Sequence, residues 1–300
     1  MAKYDIILLT ESRYENPIER DDYINNVLLE DELVIESLRK KGLNAKRVDW
    51  ARQDFDWSEA RFLLFRTTWD YFYKWTEFSD WLDKTKIKSQ FINPISTIRW
   101  NLDKHYLLDM QANGVNIAPT KIIKQGSSLS LESEFKSSGM KEIVLKPLVS
   151  GGGRHTYRID ESNVIKYSSV FASLILEEDM MIQEFQKNVP IEGELSLMFF
   201  GGRYSHAILK KAKKDDFRVQ DDFGGSVHDH IASKEEIEFA TFAIQQVNPV
   251  PVYGRVDIFR DNNNELALAE LELIEPELWF RNHPPAADML AEEIVKLFST

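Results

Sequence analysis

Three hundred residues, 43% of them apolar, can bury a large core and suit two domains or one domain with a substantial insertion. The formal charge of −12, with dispersed lysines, argues against a nucleic-acid surface, and the absence of cysteine excludes a disulfide framework, a thiolate nucleophile and cysteine-type zinc. No stretch approaches the roughly eighteen apolar residues of a membrane span, and MAKYDIILLT lacks the long apolar region of a signal peptide, so a cytoplasmic protein without a membrane partner is expected.

In chain order, Tyr4 to Thr10 reads as a buried strand and the polar run to Asn26 as a long loop. Val27 to Lys41 has the apolar spacing of a helix, with Gly42 where a terminating glycine belongs. Asn44 to Asp49 and Phe62 to Phe65 read as strands, so the first hundred residues alternate as an open parallel α/β sheet, a Rossmann-like unit. It lacks GxGxxG, so no dinucleotide is assigned. After RFLLF, the run from Arg66 to Tyr71 would lie at the carboxyl end of a strand, where such sheets bind ligands. Arg66 and Arg13 are suited to a substrate carboxylate, and Trp69 and Tyr71 to the pocket wall. A surface loop with packed aromatics explains the same residues equally well.

Thr76 to Lys84 reads as a helix, Gln90 to Asn93 as a short strand, and Asn101 to Met110 as a helix bearing Lys104 and closed by Asn113-Gly114. A smaller lid unit over about residues 115–187 follows, with strands at Thr120 to Lys124, Ile143 to Leu148, His155 to Ile159 and Met180 to Phe185, and helices at Leu131 to Ser137 and Ser168 to Leu176. Lys146 stands inside an apolar strand, and Ser150, Gly151, Gly152 and Gly153 come next. A buried ammonium is costly without an anion, and consecutive glycines let backbone N–H groups approach phosphates, so a phosphate site outweighs a snorkelling lysine beside a turn. Gln183, Glu184 and Phe185, with Glu194 beyond, could offer a purine its edge contacts and a ribose its carboxylate; alone this is a weak signal.

Leu195 to Leu209 forms a hairpin turning at Gly201-Gly202, and Glu235 to Gln246 and Ala286 to Phe298 are helices. Lys210 to Gly225 is a charged segment. His228-Asp229-His230 reads as a loop more readily than as a metal site. Between the helices, VYGRVDIFR and ELALAELELI alternate with a period of two around the turn Asp261 to Asn264. An even-length turn would pair Arg260 with Glu265. It would set Arg255, Asp257, Glu270 and Glu272 on one face, Asp257 diagonal to Glu270, and Val256, Ile258, Ala267, Ala269 and Leu271 on the other. Carboxylates this close call for a cation, and oxygen ligands without His or Cys favour magnesium shared with nucleotide phosphates. The alternative is the solvated face of an ordinary amphipathic hairpin.

Taken together, a lysine ahead of the lid (Lys104), a strand lysine with a glycine loop (Lys146, Gly151 to Gly153), a hinge (Gln183-Glu184-Phe185), a ribose acid (Glu194) and an acidic hairpin (Asp257, Glu270, Glu272) stand in the order of the ATP-grasp superfamily. The chain resembles its glutathione-synthetase-like and ribosomal-S6-modification-like carboxylate–amine ligases from about Trp100 to the C-terminus. The phrases RTTWDYF, RWNLDKHYLLD, FFGGRYSHAILKK, DFRVQDDFGG and ELELIEP resemble the O-ureido-serine cyclo-ligase relatives. The resemblance implies an ATP-grasp fold (α/β with an α+β lid) over residues 101–300, preceded by a Rossmann-like pre-ATP-grasp domain over residues 1–100.

The resemblance further implies that Lys104 and Lys146 neutralise the α- and β-phosphates, that Ser150 to Arg154 closes over the γ-phosphate, and that Glu184 and Phe185 meet adenine while Glu194 holds the ribose. Asp257, Glu270 and Glu272 would bind two Mg²⁺ ions, for which Mn²⁺ could substitute, and Arg255 would stabilise charge developing at the reacting centre. Lys210, Lys211, Arg218, Gly224 and Gly225 fall where the family places phosphate and substrate contacts, with Lys210 joining Arg255 as a catalytic candidate; a solvated basic loop is the plain alternative. Many members carry Asn where this chain has Glu272, which puts a close copy of the better-known substrate pockets in doubt. The implied activity is ATP-dependent ligation of a small carboxylate to an amine through an acylphosphate, on an amino-acid-like or peptide substrate. A small-molecule kinase or an inactive nucleotide-binding regulator are the alternatives, and a homo-oligomer is compatible with all three.

Overall fold

A computed structural model of the chain describes residues 2–213, 216–217 and 224–299. Strands β1 (Tyr4–Thr10), β2 (Ala45–Asp49), β3 (Ala60–Thr67) and β4 (Gln90–Ile92) form a parallel sheet in the order β2-β1-β3-β4. Ile6 to Leu9 are all fully buried because both faces of this sheet are covered, which is why β1 reads as a continuous apolar run. Ile6 and Leu8 pack with Val34, Leu38, Leu290 and Ile294, whereas Ile7 and Leu9 join Trp50, Trp57, Phe65 and Phe78.

A single turn, α1 (Ser12–Glu15), precedes α2 (Asp22–Lys40). α2 therefore starts ahead of its apolar periodicity, inside the expected loop, because the Asp21 carboxylate caps it by accepting the Ile24 N–H at 2.8 Å. Gly42, at φ +81°, closes it as expected. α3 (Trp75–Thr85) covers the aromatic face of the sheet. The helix expected from Asn101 to Met110 is instead two, α4 (Ile95–Asn101) and α5 (Tyr106–Ala112). They are interrupted where the Asp103 carboxylate accepts the His105 N–H at 2.9 Å and competes with the helical ladder. Lys104 sits in that break.

Next comes a four-stranded antiparallel sheet of β5 (Thr120–Ile123), β6 (Glu142–Pro147), β7 (Tyr157–Asp160) and β8 (Met180–Glu184), ordered β5-β8-β6-β7. α6 (Leu131–Ser138) and α7 (Val164–Glu177) cover one face through Leu131, Phe171 and Ile175 on Ile143, Leu145 and Ile182. Val144 and Lys146, alternating with these, turn to the opposite face.

After the short α8 (Val189–Glu192), β9 (Glu194–Phe200), β10 (Arg203–Lys211), β11 (Ser226–His230), β12 (Tyr253–Arg260) and β13 (Leu266–Glu272) form the antiparallel sheet β11-β10-β9-β12-β13. Positive φ at Gly201 and Gly202 makes the β9–β10 turn. His228-Asp229-His230, expected as a loop, belongs to β11, which satisfies its backbone on β10. One face of this sheet packs Leu197, Phe199, Val256 and Ile258 under α9 (Lys234–Gln245) and α5. The other face divides. Met198, Phe200 and Tyr253 pack with α10 (Pro285–Lys296) against the first sheet, while Glu194, Ser196, Lys210, Arg255 and Asp257 carry its polar part. No helix among the described residues is long and apolar enough to cross a membrane.

The free edge of β13 is closed by side chains. Asn101 Nδ2 donates to Leu271 O at 2.7 Å and its Oδ1 accepts the Leu273 N–H at 2.8 Å; the Leu271 N–H reaches the Tyr106 hydroxyl at 2.9 Å. Asn93, at φ +58°, donates to Tyr253 O and Leu273 O and accepts from Val252 N–H at 2.8 Å. Asn93→Ala strands three backbone groups, two of them buried, and removes a residue suited to left-handed backbone, so urea denaturation should show a loss of about 3–5 kcal/mol.

Candidate active site

A cavity of about 560 Å³ opens where the three sheets meet. Lys104, Lys146, Ser150, Gly151, Gly152, Gly153, Gln183, Glu184, Phe185, Glu194, Lys210, Arg255, Asp257, Glu270 and Glu272 all line it, and Arg13, Tyr23, Trp69, Tyr71 and Phe72 come from the first hundred residues.

The hairpin that supplies its acidic side differs from the expected register. Asp261 N–H bonds Glu265 O at 2.8 Å, and the Asp261 carboxylate accepts the N–H groups of Asn263 and Glu265, so the turn takes five residues and Arg260 faces Leu266. β13 then bulges at Ala269, which puts Asp257 directly opposite Glu270 and Arg255 opposite Glu272. Leu268, not Ala267 or Ala269, joins Val256, Ile258 and Leu271 in the core; the two alanines pack beside Phe259 and Ala118.

The carboxylates are met by the chain's own cations. Arg255 grips Asp257 with Nε and Nη2, both at 2.8 Å, and reaches Glu272 with the same fork. Lys210 Nζ lies 2.9 Å from Asp257 and 2.6 Å from Glu194, and Ser196 Oγ donates to Asp257 at 2.7 Å. Burial alone would raise the Asp257 carboxyl, but Arg255 and Lys210 outweigh it and hold the group well below the usual range. Burial pulls Lys210 down, yet Asp257 and Glu194 carry it up to about 12. Glu272 remains under-compensated: burial, with Glu270 and Asp257 nearby, pushes it up to about 8 despite Arg255. Glu194 is likewise raised, chiefly by burial.

Across the cavity, Lys104 Nζ donates to Ser150 O at 2.7 Å and pairs with Glu270 at 3.0 Å, tying the glycine loop to the hairpin. Lys146 has no ion-pair partner among the described residues, and burial lowers its pKa, with Lys104 adding to the effect and Glu270 opposing it. Gly152 and Gly153 adopt φ of +54° and +67°, and a Cβ on Gly151 would come within 2.8 Å of the Phe72 ring. Two ammonium groups and an exposed run of backbone are a cradle for anionic oxygens. At the hinge, Glu184 and Phe185 N–H groups are committed to Pro119 and Glu142 carbonyls at 2.8 and 2.9 Å. The hinge can therefore offer a purine its carbonyl oxygens, each already accepting one amide, from Gln186 and Asn262 respectively.

Arg66 stands apart from the cavity. It is 2% exposed, 3.2 Å from Asp31 on α2, and within 3.3 Å of Pro276 O, so it anchors the sheet to that helix instead of gripping a substrate. Gly224 and Gly225 lead into β11 and do not line the cavity, and Arg218 lies outside the described residues. Arg13 does reach the cavity, with Glu11 at 2.8 Å. Phe72, Gln186, Glu275, Glu277 and Trp279 also line it and were not foreseen. Only the double glutamate of IEPE beside the acidic hairpin could have drawn attention to Glu275 and Glu277.

Among the described residues no three His, Asp or Glu side chains form a ready metal cluster, because the carboxylates are turned toward Arg255, Lys210 and Lys104. The donor set nevertheless fits a hard divalent ion: oxygen ligands only, with the negative surplus that Glu272 and Glu194 display.

Residues 6–93 match the family described as D-cycloserine synthetase DcsG, N-terminal domain, and residues 109–250 match Prokaryotic glutathione synthetase, ATP-grasp domain. The cycloserine biosynthesis protein DcsG of Streptomyces lavendulae is 30% identical over 259 residues, 82% of this chain and 86% of that one. The crystal structure of D-cycloserine synthetase DcsG aligns with a TM-score of 0.85 at 26% identity, over 97% of this chain and 98% of that chain. D-alanine–D-alanine ligase from Bacillus anthracis, solved with ATP, shares the fold at a TM-score of 0.65 and 13% identity, over 98% and 96% of the two chains. A lysine-and-glycine cradle facing an acidic hairpin, in a chain related to DcsG over most of its length, belongs to the ATP-grasp family, and the chain is an ATP-dependent ligase.

Proposed function

We propose that the enzyme joins a carboxylate to an amine or other nitrogen nucleophile of a small amino-acid-like substrate through an acylphosphate. The observation that carries this reading is Lys146, without an ion-pair partner among the described residues, beside Lys104 and the glycine loop and facing Asp257, Glu270 and Glu272 in one cavity. Lys104 and Lys146 neutralise the phosphates next to the bond that breaks, and the backbone of Ser150 to Gly153 covers the γ-phosphate. The carbonyls of Glu184 and Phe185 take the adenine edge, and Glu194 the ribose.

The substrate carboxylate attacks the γ-phosphorus and ADP leaves; the nitrogen nucleophile then adds to the acyl carbon and phosphate leaves. Arg255 is placed to hold the oxygens that gain charge in both steps. Asp257, Glu270 and Glu272 would hold two Mg²⁺ ions, whose chemistry is to draw charge from the phosphate oxygens. Positioning and charge neutralisation suffice, so no enzyme nucleophile is needed.

The relatives' names include a cycloserine synthetase and a ligase of two alanines, and a ring is the expected product where both groups sit on one molecule. The same reading assigns residues 1–100 to a pre-ATP-grasp domain and residues 101–300 to the ATP-grasp domain, with the lid at about residues 115–187; the three-sheet arrangement supports it. Mg²⁺-dependent ADP release should require both a carboxylate and a nitrogen nucleophile. Release with a lone hydroxyl acceptor would mark a kinase, and intact ATP with every pair would overturn the ligase reading.

A further inference from the structure

The three glycines that follow Ser150 are glycines for two different reasons. Gly152 and Gly153 need the backbone freedom, since both have φ in the left-handed region. Gly151 lies outside that region, so its backbone would accept alanine, but its surroundings would not. A Cβ at Gly151 would fall 2.8 Å from Cε1 of Phe72, 3.4 Å from Cδ1 and 3.6 Å from Cζ, closer than packed carbons approach. Phe72 belongs to the first hundred residues, so the contact joins the N-terminal part of the chain to the glycine loop.

Both partners are braced. Phe72 stands in a 3₁₀ turn, Tyr71–Tyr73, in which the Tyr71 and Tyr73 N–H groups bond the Thr68 and Asp70 carbonyls at 3.2 and 3.1 Å. The Asp70 carboxylate fixes the start of that turn by accepting the Trp50 indole N–H at 2.7 Å and Lys74 Nζ at 2.5 Å. The Tyr73 and Tyr71 rings lie 4.5 and 5.5 Å from the Phe72 ring. On the other side, the Lys104 N–H bonds Leu148 O at 3.1 Å, and Val149 packs with Phe72 on the aromatic core of the first sheet. Past the glycines, Arg154 turns away to Glu178 at 3.0 Å. Gly151 is thus where the loop rests on the Phe72 ring, and with the ring held, an added methyl displaces the loop.

Resting on the reading of this loop as the cover of the γ-phosphate, we infer that Phe72 is a positioning residue: its ring is the seat that sets how far the glycine loop closes. Discrimination between nucleotide tri- and diphosphates then depends on a side chain outside the loop, on the turn that also brings Trp69 and Tyr71 to the cavity. Phe72 acts through the backbone of Gly151, and no part in bond making is assigned to it.

The test is a double-mutant cycle on the full-length protein, read by isothermal titration with AMP-PNP and with ADP, each with Mg²⁺. Gly151→Ala should weaken AMP-PNP binding about tenfold, as an overpacked contact does, while ADP affinity changes by less than about twofold and certifies the fold. Phe72→Leu withdraws the ring edge and leaves room for the methyl, so in that background Gly151→Ala should cost less than about twofold. An equal loss of both nucleotides, or the same tenfold penalty with and without Phe72→Leu, overturns the seat. Wild-type protein that binds neither nucleotide refutes the ligase reading instead, and hydrogen exchange of the ligand-free protein then decides the seat. The Arg154 and Thr156 amides, bonded to Gly151 and Gly153 carbonyls at 3.1 and 3.3 Å, should exchange at least about fivefold faster after Gly151→Ala and recover in the Phe72→Leu background. Unchanged exchange in Gly151→Ala overturns the proposal.

Discussion

Asp257→Asn should lower turnover by at least about a thousandfold while the protein still folds. The side chain sits where Arg255, Lys210 and Ser196 converge and opposite Glu270, so it fixes the geometry of both cations and supplies one proposed metal ligand. Asparagine keeps the volume and loses the charge. Arg255 retains Glu272 and Lys210 retains Glu194, which keeps the stability loss to about 2–4 kcal/mol, where a fully orphaned buried charge would cost more. The sign of the pH dependence follows. The folded carboxyl is held below its unfolded value, so its contribution is complete above about pH 5 and fades as the medium becomes more acid. Denaturation midpoints of variant and wild type should converge in acid, and ADP release measured alongside separates chemistry from folding. Normal turnover in the variant would remove the hairpin from the catalytic centre.

Lys146→Met should act in the opposite sense on stability. Lys146 carries a half-buried charge with no carboxylate partner among the described residues, so replacing it by an apolar chain of similar length should leave stability unchanged or raise it by about 1 kcal/mol. Nucleotide affinity should fall roughly tenfold to a hundredfold, because the ammonium's anion is supplied by the ligand. Isothermal titration with AMP-PNP, paired with urea denaturation, reads both quantities. A destabilised variant that binds nucleotide normally would return Lys146 to the role of a snorkelling surface lysine.

The parts that were legible in the sequence are those whose cause is local. Ile6 to Leu9 announced a strand covered on both faces and Gly201-Gly202 a turn, because each signal lies within a few residues; Lys146 and the glycines that follow it do come to one cavity. What escaped depends on distant partners or on a broken period. Arg66 after an apolar strand looks like a ligand grip, and only Asp31, buried on α2, shows it to be an internal ion pair. The bulge at Ala269 interrupts a perfect alternation that gave no sign of it, since alanine suits either face. Glu275 reads as one more acid in an acidic tail until Tyr71 and Trp69, from the other end of the chain, are seen beside it.

The bond from Lys104 to Ser150, together with its pair to Glu270, means that the cleft carries its own counter-ions. On the proposed placement of the phosphates, nucleotide entry would be an exchange reaction: phosphate oxygens would displace Glu270 from Lys104, and the released carboxylate would then be available to a metal. Affinity becomes the difference between two sets of contacts, which keeps it moderate however many charges the site contains. It also links the two arrivals, since the group freed by the anion is one that the cation requires. Nucleotide and metal should bind with positive cooperativity through a single shared lysine–glutamate pair.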